Sequence, residues 1–432
     1  MTDNDVMQDS GAEWIGAIPL EWRLDRLKDI VSLRDEKSTE KSEIEDYLEL
    51  EDLDQGTGRL LSVRNTTNVE SAVMKFYKND VLFGKLRPYL RKYHLATFDG
   101  KCTGEILAFQ PEKIEAKFLL YFIASDGFIK VCTAMSYGAK MTRVNYPKQL
   151  ALLPVCLPST QEQQAIAEYL DQRCGRLDAI IAIKQRQIKT LDALRQSIIY
   201  QAVTKGLDDS VPLVDSGVEW LGKIPQGWRV SKLKYITNQI VDGTHFTPNY
   251  VESGVPFLRV TDIQTQSINF ERIKFITKEE HTELTKRAKP QKGDILLSKN
   301  GTIGITKVVD WDWEFSIFVS LCLIKFLPNI SPYYFSYFFE SDVVNQQLFE
   351  SSKKTSVTNL HLVKIRELLL CVPPFHEQQR IIDHLDQETQ RLNDLKENLS
   401  KQISTLEAYK KALIYECVTG KKRINADGLR AF

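Results

Sequence analysis

This 432-residue chain has no stretch approaching the 18 or so uninterrupted apolar residues that a membrane-crossing helix needs. Its first residues, MTDNDVMQDS, are acidic and polar, the reverse of the basic-then-apolar order of a secretory leader. The expectation is a cytoplasmic protein with no membrane partner. Seven cysteines, at 102, 132, 156, 174, 322, 371 and 417, are odd in number and never spaced as Cys-x-x-Cys. That argues against a disulfide framework and a thiolate zinc site and for reduced, mostly buried thiols. Six histidines are scattered, and His376-Glu377-Gln378-Gln379-Arg380, which begins like a zinc-protease helix, carries Arg380 where the second histidine belongs. Charge of one sign is lacking too: 57 basic residues face 57 acidic ones, so any nucleic-acid surface has to be local.

Catalytic motifs are missing as well. There is no Gly-x-Ser-x-Gly elbow, no Asn/Asp-Pro-Pro-aromatic amino-methylation motif, no glycine-rich loop after a strand, and no carboxylate pair followed by Glu-x-Lys. Gly217 to Lys223 has the spacing of a phosphate-binding loop, but Ile224 replaces the Ser/Thr and Pro225 opposes a helix start. The reading is a chain with no catalytic residue, no metal ligand and no cofactor of its own.

What is there is a duplication. Ser10–Ser32 returns at Ser216–Asn238 with 12 of 23 positions identical, and Pro158–Thr204 returns at Pro373–Thr419, with Glu162-Gln163-Gln164 matching Glu377-Gln378-Gln379. Each copy opens on S-G-x-E-W-x-G-x-I-P-x-x-W-[RK], a turn-rich box expected to be pinned by two buried indoles. Between the matched blocks, Leu33–Leu153 and Gln239–Leu370 share only short fragments. A repeated frame with divergent contents suits a protein that reads two different ligands.

Short β-like runs (Val81–Phe83, Ile106–Phe109, Pro256–Val260, Ile295–Leu297, Phe318–Phe326) and aromatic helices (Phe118–Phe128, Tyr333–Phe349) make each variable body a small α/β globule. After each body a proline break leads into a long helical pattern that ends at Gly206 or Gly420. Ser159 and Glu162 have capping-box spacing. The apolar period is seven: Leu385, Leu392, Leu399, Leu406 and Leu413 in the second helix, and Leu170, Leu177, Leu191 and Ile198 with Ile181 and Ile188 in the first. About 45 residues make rods of roughly 65–70 Å. The simplest arrangement pairs the two seams antiparallel about a pseudo-twofold axis; the alternative lays each helix along its own globule.

Within the neutral total, Asn79–Lys101 holds five basic residues against two acidic, and Lys286–Lys307 six against one. In each run an aspartate opens a strand that leads into a basic loop: Asp80 into Lys85, Arg87, Arg91, Lys92 and Tyr93, and Asp294 into Lys299, Asn300 and Thr302. Second candidate surfaces precede the proline breaks, with Lys140, Arg143 and Asn145 in one copy and Lys353, Lys354 and Asn359 in the other. Such loops can place cations on phosphates and Arg, Asn or Lys tips on base edges. Copy 1 has Asn79 and Gly84 where copy 2 has Gly293 and Ser298, and it lacks the Gly301-x-x-Gly304 tip.

The duplicated Trp box, Asp242-Gly243-Thr244-His245, Gly254 through Ile263, Gly293 through Ser298, and the Pro-x(3–4)-Glu-Gln-Gln lead into a leucine-rich helix resemble the specificity subunit of type I restriction–modification systems over nearly the whole chain. The resemblance implies an α/β (α+β) fold of two target-recognition domains, 1–153 and 208–370, joined by antiparallel coiled-coil regions, 154–207 and 371–432. It also implies that each domain reads half of a bipartite, asymmetric double-stranded DNA target, with the helices setting the gap between halves. Modification subunits would bring S-adenosylmethionine, and restriction subunits ATP-driven translocation and cleavage. Lys299 and Asn300 are then expected to contact DNA without supporting the fold. Two rival readings are the recognition subunit of a two-subunit system that cuts on both sides of its site, and a coiled-coil adaptor that binds proteins.

Overall fold

The computed structural model describes residues 6–39, 46–65, 72–138, 140–264, 267–301, 303–341, 343–344, 347 and 360–424. The chain divides into two compact units, Met1–Gln185 with Ser400–Phe432, and Arg186–Leu399. Each unit therefore holds one box, one body and a portion of both long helices, and the division falls within the helices.

The box folds the same way in both units. Its central strand, Ala17–Pro19 or Lys223–Pro225, pairs antiparallel with the strand before it, Met7–Asp9 or Leu213–Asp215. The strand after it, Arg23–Arg26 or Arg229–Lys232, pairs with the one just ahead of a long helix, Pro154–Leu157 or Leu369–Val372. The repeated glycines Gly16 and Gly222 have φ of 72° and 65°, a left-handed turn that other residues adopt only at a cost.

The repeated Trp and Glu-Gln-Gln motifs meet in space. Trp22 and Trp228 are buried, and their Nε1 atoms donate to Glu162 Oε2 at 3.1 Å and Glu377 Oε2 at 2.9 Å. The other indoles, Trp14 and Trp220, are half-buried, so one tryptophan per box is a core residue, not two. Gln163 and Gln378 act as staples. Their Oε1 atoms accept from the Glu115 and Ser331 N–H groups at 2.7 and 2.8 Å, and their Nε2 atoms donate to the Pro158 and Pro373 carbonyls at 2.9 and 3.0 Å. Gln163→Ala and Gln378→Ala are each expected to cost about 1–3 kcal/mol, because buried peptide groups lose their partners. Hydrogen exchange at the helix starts checks this, and protection unchanged from wild type would refute the staple.

The bodies share a topology that their sequences conceal. The first has a sheet in the order Val31–Leu33, Ile106–Pro111, Val81–Gly84, Tyr93–Leu95; the second has Thr237–Asp242, Leu321–Phe326, Ile295–Ser298, Thr306–Val308, both wholly antiparallel. The central strands Val81–Gly84 and Ile295–Ser298 are buried at every position. Both faces are covered, which explains why they read as continuous apolar runs without alternation. A smaller sheet in each body contains one parallel pair, Tyr47–Leu48 with Gly100–Cys102 and Val255–Leu258 with Ser316–Ile317. Its antiparallel partner differs: Val73–Phe76 pairs with Gly100–Cys102, whereas Lys274–Ile276 pairs with Val255–Leu258, the other member of the parallel pair. Aromatic helices complete the cores. The expected helix Phe118–Phe128 is two helices, Ala116–Ala124 and Asp126–Met135, bent by 63° at Ser125, whose Oγ caps the second. In the second body the helix is Pro332–Glu340.

The long helices are Thr160–Lys205 and Phe375–Val418, 46 and 44 residues. In the first unit Lys410 pairs with Asp178 at 2.7 Å and Lys184 reaches Gln402, an antiparallel register. In the second unit Lys396 pairs with Asp192. Leu170, Ile181, Leu385, Leu392 and Leu413 are buried, while Leu177, Ile188, Leu191, Ile198, Leu399 and Leu406 are half-buried. The helices also join the globules: Ala165, Ile166, Leu170, Leu413, Ile414 and Cys417 belong to the same apolar cluster as Phe118 and Phe122, and Ile199, Val203, Ile381 and Leu385 to the cluster of Tyr334 and Phe335. Seam pairing and packing on the globule therefore coexist. Ser159 Oγ accepts from the Glu162 N–H at 3.3 Å, but the Glu162 carboxylate faces Trp22, so half of the expected capping box forms. Gly206 and Gly420 end the helices with φ of 77° and 73°, as their positions suggest. Among the described residues, no single helix is long and apolar enough to cross a membrane.

Candidate nucleic-acid interface

The shared aspartates at the loop entrances are turn fasteners. Asp80 Oδ2 accepts from the Tyr77 N–H at 2.8 Å and Asp294 Oδ2 from the Gln291 N–H at 2.7 Å, with Arg34 and Lys325 as their cationic partners. Burial raises the Asp294 carboxyl above its ordinary range against the pull of Lys325. Asn79 and Gly293 occupy one left-handed position, φ 72° and 89°, and asparagine is among the few side chains that tolerate it. The sequence departure at Asn79 is thus conformationally conservative.

The loops themselves also correspond. Gly84 N–H donates to the Lys92 carbonyl, and Ser298 N–H to the Ile305 carbonyl, both at 2.8 Å. Three residues beyond each donor stands a left-handed residue, Arg87 (φ 50°) or Gly301 (φ 72°), and just before each acceptor another, Arg91 (φ 53°) or Gly304 (φ 92°). Copy 1 thus fills with arginines the slots that copy 2 fills with glycines, at about 1–2 kcal/mol per residue.

The structure brings the two candidate surfaces of the first unit together. Arg87 N–H donates to the Thr142 carbonyl at 2.7 Å, Val144 N–H to the Lys85 carbonyl at 3.0 Å, and Leu86 bridges Arg143. Arg87 Nη2 also reaches the Lys140 carbonyl at 3.3 Å. Lys140 is exposed and Lys85 and Arg87 are half-buried, and none of the three has a carboxylate partner among the described residues. Several expected contact residues are engaged within the fold. Arg91 is held by Asp126 and the Ala124 carbonyl, and Lys92 Nζ donates to the Leu53 carbonyl. Tyr93 is buried, its hydroxyl donates to the Gly56 carbonyl at 2.8 Å, and burial pushes its phenol up to about 12. Arg143 forks onto Glu105, and Asn145 Oδ1 accepts from the Lys148 N–H at 3.0 Å to close a turn.

In the second unit Lys299 is 5% exposed, and its Nζ lies 2.8 Å from Asp242 Oδ2. A buried, paired ammonium cannot reach a phosphate, so Lys299 is a core ion-pair residue. Asn300 is half-buried with its Oδ1 sealed from solvent. Thr302, Lys353, Lys354 and Asn359 lie outside the described residues. Sequence reasoning passed over His245 and Arg287, which also converge on Asp242 and line a cavity of about 260 Å³ with the exposed Phe246. The Asp242-Gly-Thr-His245 fragment and the basic run around Arg287 were their available signals. All seven cysteines are buried and free, and burial pushes thiols such as Cys102 and Cys322 up to about 12. Among the described residues, no cluster of His, Cys, Asp or Glu is placed to hold a metal.

The chain is 25% identical over 289 residues to the type I restriction enzyme EcoBI specificity subunit of Escherichia coli, covering 64% of this chain and 60% of that one. The chain thus spans about three fifths of that relative's length. It is 24% identical to the MjaVIII specificity subunit of Methanocaldococcus jannaschii, covering 76% of this chain and 79% of that one. A solved structure from work on complex assembly and conformational transition of the type I R-M system shares the fold, with a TM-score of 0.73 at 19% identity over 94% of this chain and 99% of that one. The HsdS subunit of Thermoanaerobacter tengcongensis superposes with a TM-score of 0.51 at 18% identity, covering 94% and 98%. The family model for the type I restriction modification DNA specificity domain matches twice, at residues 19–193 and 225–405, one match for each copy of the frame. Two matches that together span well over half of its length mean that the chain belongs to the type I restriction modification DNA specificity domain family.

Proposed function

We propose that this chain is the non-catalytic, DNA-reading subunit of a type I restriction–modification complex, and that its two bodies, within 1–153 and 208–370, each recognise half of a bipartite, asymmetric duplex target. Modification and restriction subunits would dock on it and bring S-adenosylmethionine and ATP, respectively; the chain would act in the cytoplasm. The observation that carries this reading is one loop architecture built twice on duplicated frames with different tip chemistry, arginines at the left-handed slots of one copy and glycines at those of the other. A scaffold that keeps the backbone and varies the side chains suits recognition of two unlike half-sites. Shared membership of the specificity family supports it.

The test exchanges residues 33–153 for the matching body of another family member and selects bound duplexes from a random pool in the presence of the modification subunits. One half of the selected sequence should change and the other should persist. If both halves change, or neither does, the two bodies are not independent readers.

A further inference from the structure

We propose that the turn Arg87–Arg91 is the base-reading tip of the first unit, with Arg87 hydrogen-bonding a base edge and Tyr89 inserting beside it in the groove. This assignment rests on the DNA-reading function proposed above. Glycine serves the two left-handed slots of this loop in the second unit, so the backbone requires no arginine at either. Arg91 is retained by a structural role, since its guanidinium is held by Asp126 and the Ala124 carbonyl. Arg87 has no comparable anchor: among the described residues its one side-chain hydrogen bond is a 3.3 Å bond to the Lys140 carbonyl. A non-glycine residue in a left-handed slot, with no ion pair among the described residues to hold its side chain, points to a role for that side chain outside the fold.

The surroundings fit a duplex. Between the two arginines, Pro88–Leu90 forms a 3-10 turn that pins the backbone and leaves Tyr89 49% exposed. On the adjoining loop Tyr137 and Met141 are 55% and 50% exposed. Apolar and aromatic tips beside Lys85, Arg87 and Lys140 combine what groove recognition needs: cations for phosphates, a fork for two acceptors on one base, and rings that pack on a thymine methyl or wedge at a base step. Guanine, with O6 and N7 side by side in the major groove, is the base whose edge matches an arginine fork.

The experiment uses the full chain with its modification subunits and sequences the duplexes selected from a random pool. Arg87→Gly removes the fork while giving the left-handed slot its preferred residue. Its melting temperature should match or exceed wild type, while preference at one base pair of one half-site falls by about tenfold to a hundredfold. Arg87→Lys, which keeps the charge, should retain overall affinity and lose the same preference. Tyr89→Ala should relax the neighbouring position, with Tyr89→Phe behaving as wild type. A wild-type consensus left unchanged in Arg87→Gly and Tyr89→Ala overturns the assignment alone. So does an Arg87→Gly variant that melts well below wild type with selectivity intact, since Arg87 would then be structural. A wild-type complex that enriches no sequence overturns the DNA-reading function and this tip with it.

Discussion

Lys299→Ala is expected to lower the unfolding free energy of the second unit by about 3–5 kcal/mol, because it strands a buried carboxylate whose charge the ammonium balances. Lys299 and Asp242 side chains are 6% and 5% exposed, with Nζ and Oδ2 2.8 Å apart. Arg287 and His245 also contact Asp242, but from exposed positions that leave their heads in water. They cannot replace a partner on the inner side. Asp242→Asn/Lys299→Met, which removes both charges and keeps the volume, should recover most of the loss, since removing a buried pair together is far milder than breaking it. Hydrogen exchange across Thr237–Asp242 and Ile295–Ser298 measures the effect within the unit. A loss under about 1 kcal/mol, with an altered salt dependence of DNA binding, would restore Lys299 to the DNA-contact residues.

The same pair predicts a pH dependence. Burial opposes ionisation of Asp242, but the hydrogen bond and charge of Lys299, with the charges of His245 and Arg287, hold its carboxyl below the ordinary range. The folded state therefore binds this proton less readily than the unfolded chain. The stabilisation is complete above the ordinary aspartate value of about 4 and is lost as pH falls through the lowered folded value. Asp242→Asn should flatten that acid limb. A limb of unchanged slope would place the transition on other carboxylates.

Gly420→Ala is expected to destabilise the first unit by about 2–5 kcal/mol, the sum of about 1–2 for a left-handed non-glycine and about 1–3 for overpacking. A Cβ on Gly420 would lie 2.3 Å from Pro19 Cδ and 2.5 Å from Pro19 Cγ, atoms of a rigid ring that cannot rotate aside. Gly206 is the matched control. It has the same kind of φ, 77°, but its nearest neighbours, Glu377 Oε1 and Trp228 Cζ2, are 3.3 Å away. Gly206→Ala should therefore show the conformational cost with little of the steric one, about 1–2 kcal/mol. Exchange rates of the two boxes separate the variants, and equal losses would mean that contact with Pro19 adds nothing.

Legibility followed the range of the interaction. The box, the helix ends and the heptads are local patterns, so Gly206, Gly420, Leu385 and Leu413 could be read from spacing alone. The Glu-Gln-Gln motif was visible as a repeat, yet its purpose was not. Glu162 and Gln163 act on Trp22 and Glu115, respectively, which lie 140 and 48 residues away. The common topology of the bodies was hidden for a related reason. Strand pairing needs only buried apolar residues and a few fasteners such as Asp52 and Asp262, whose carboxylates each accept at 2.8 Å from the N–H three residues earlier.

Charge was where sequence misled most. A basic residue in a loop looks the same whether its head meets water, a phosphate or a buried carboxylate. Lys299, Arg91 and Arg143 pair with carboxylates inside the fold and Lys92 with the Leu53 carbonyl, while among the described residues Lys85, Arg87 and Lys140 have no carboxylate partner. Composition and repetition by themselves determined that the chain is two copies of one frame, each ending in a long heptad-patterned helix, because hydrophobic period and turn chemistry are properties of neighbours in the chain. Which cations remain on the surface, and that Arg87 stands where its counterpart is Gly301, only the tertiary structure decided. Ion pairing and left-handed backbone slots are set by residues that folding brings together from distant parts of the chain.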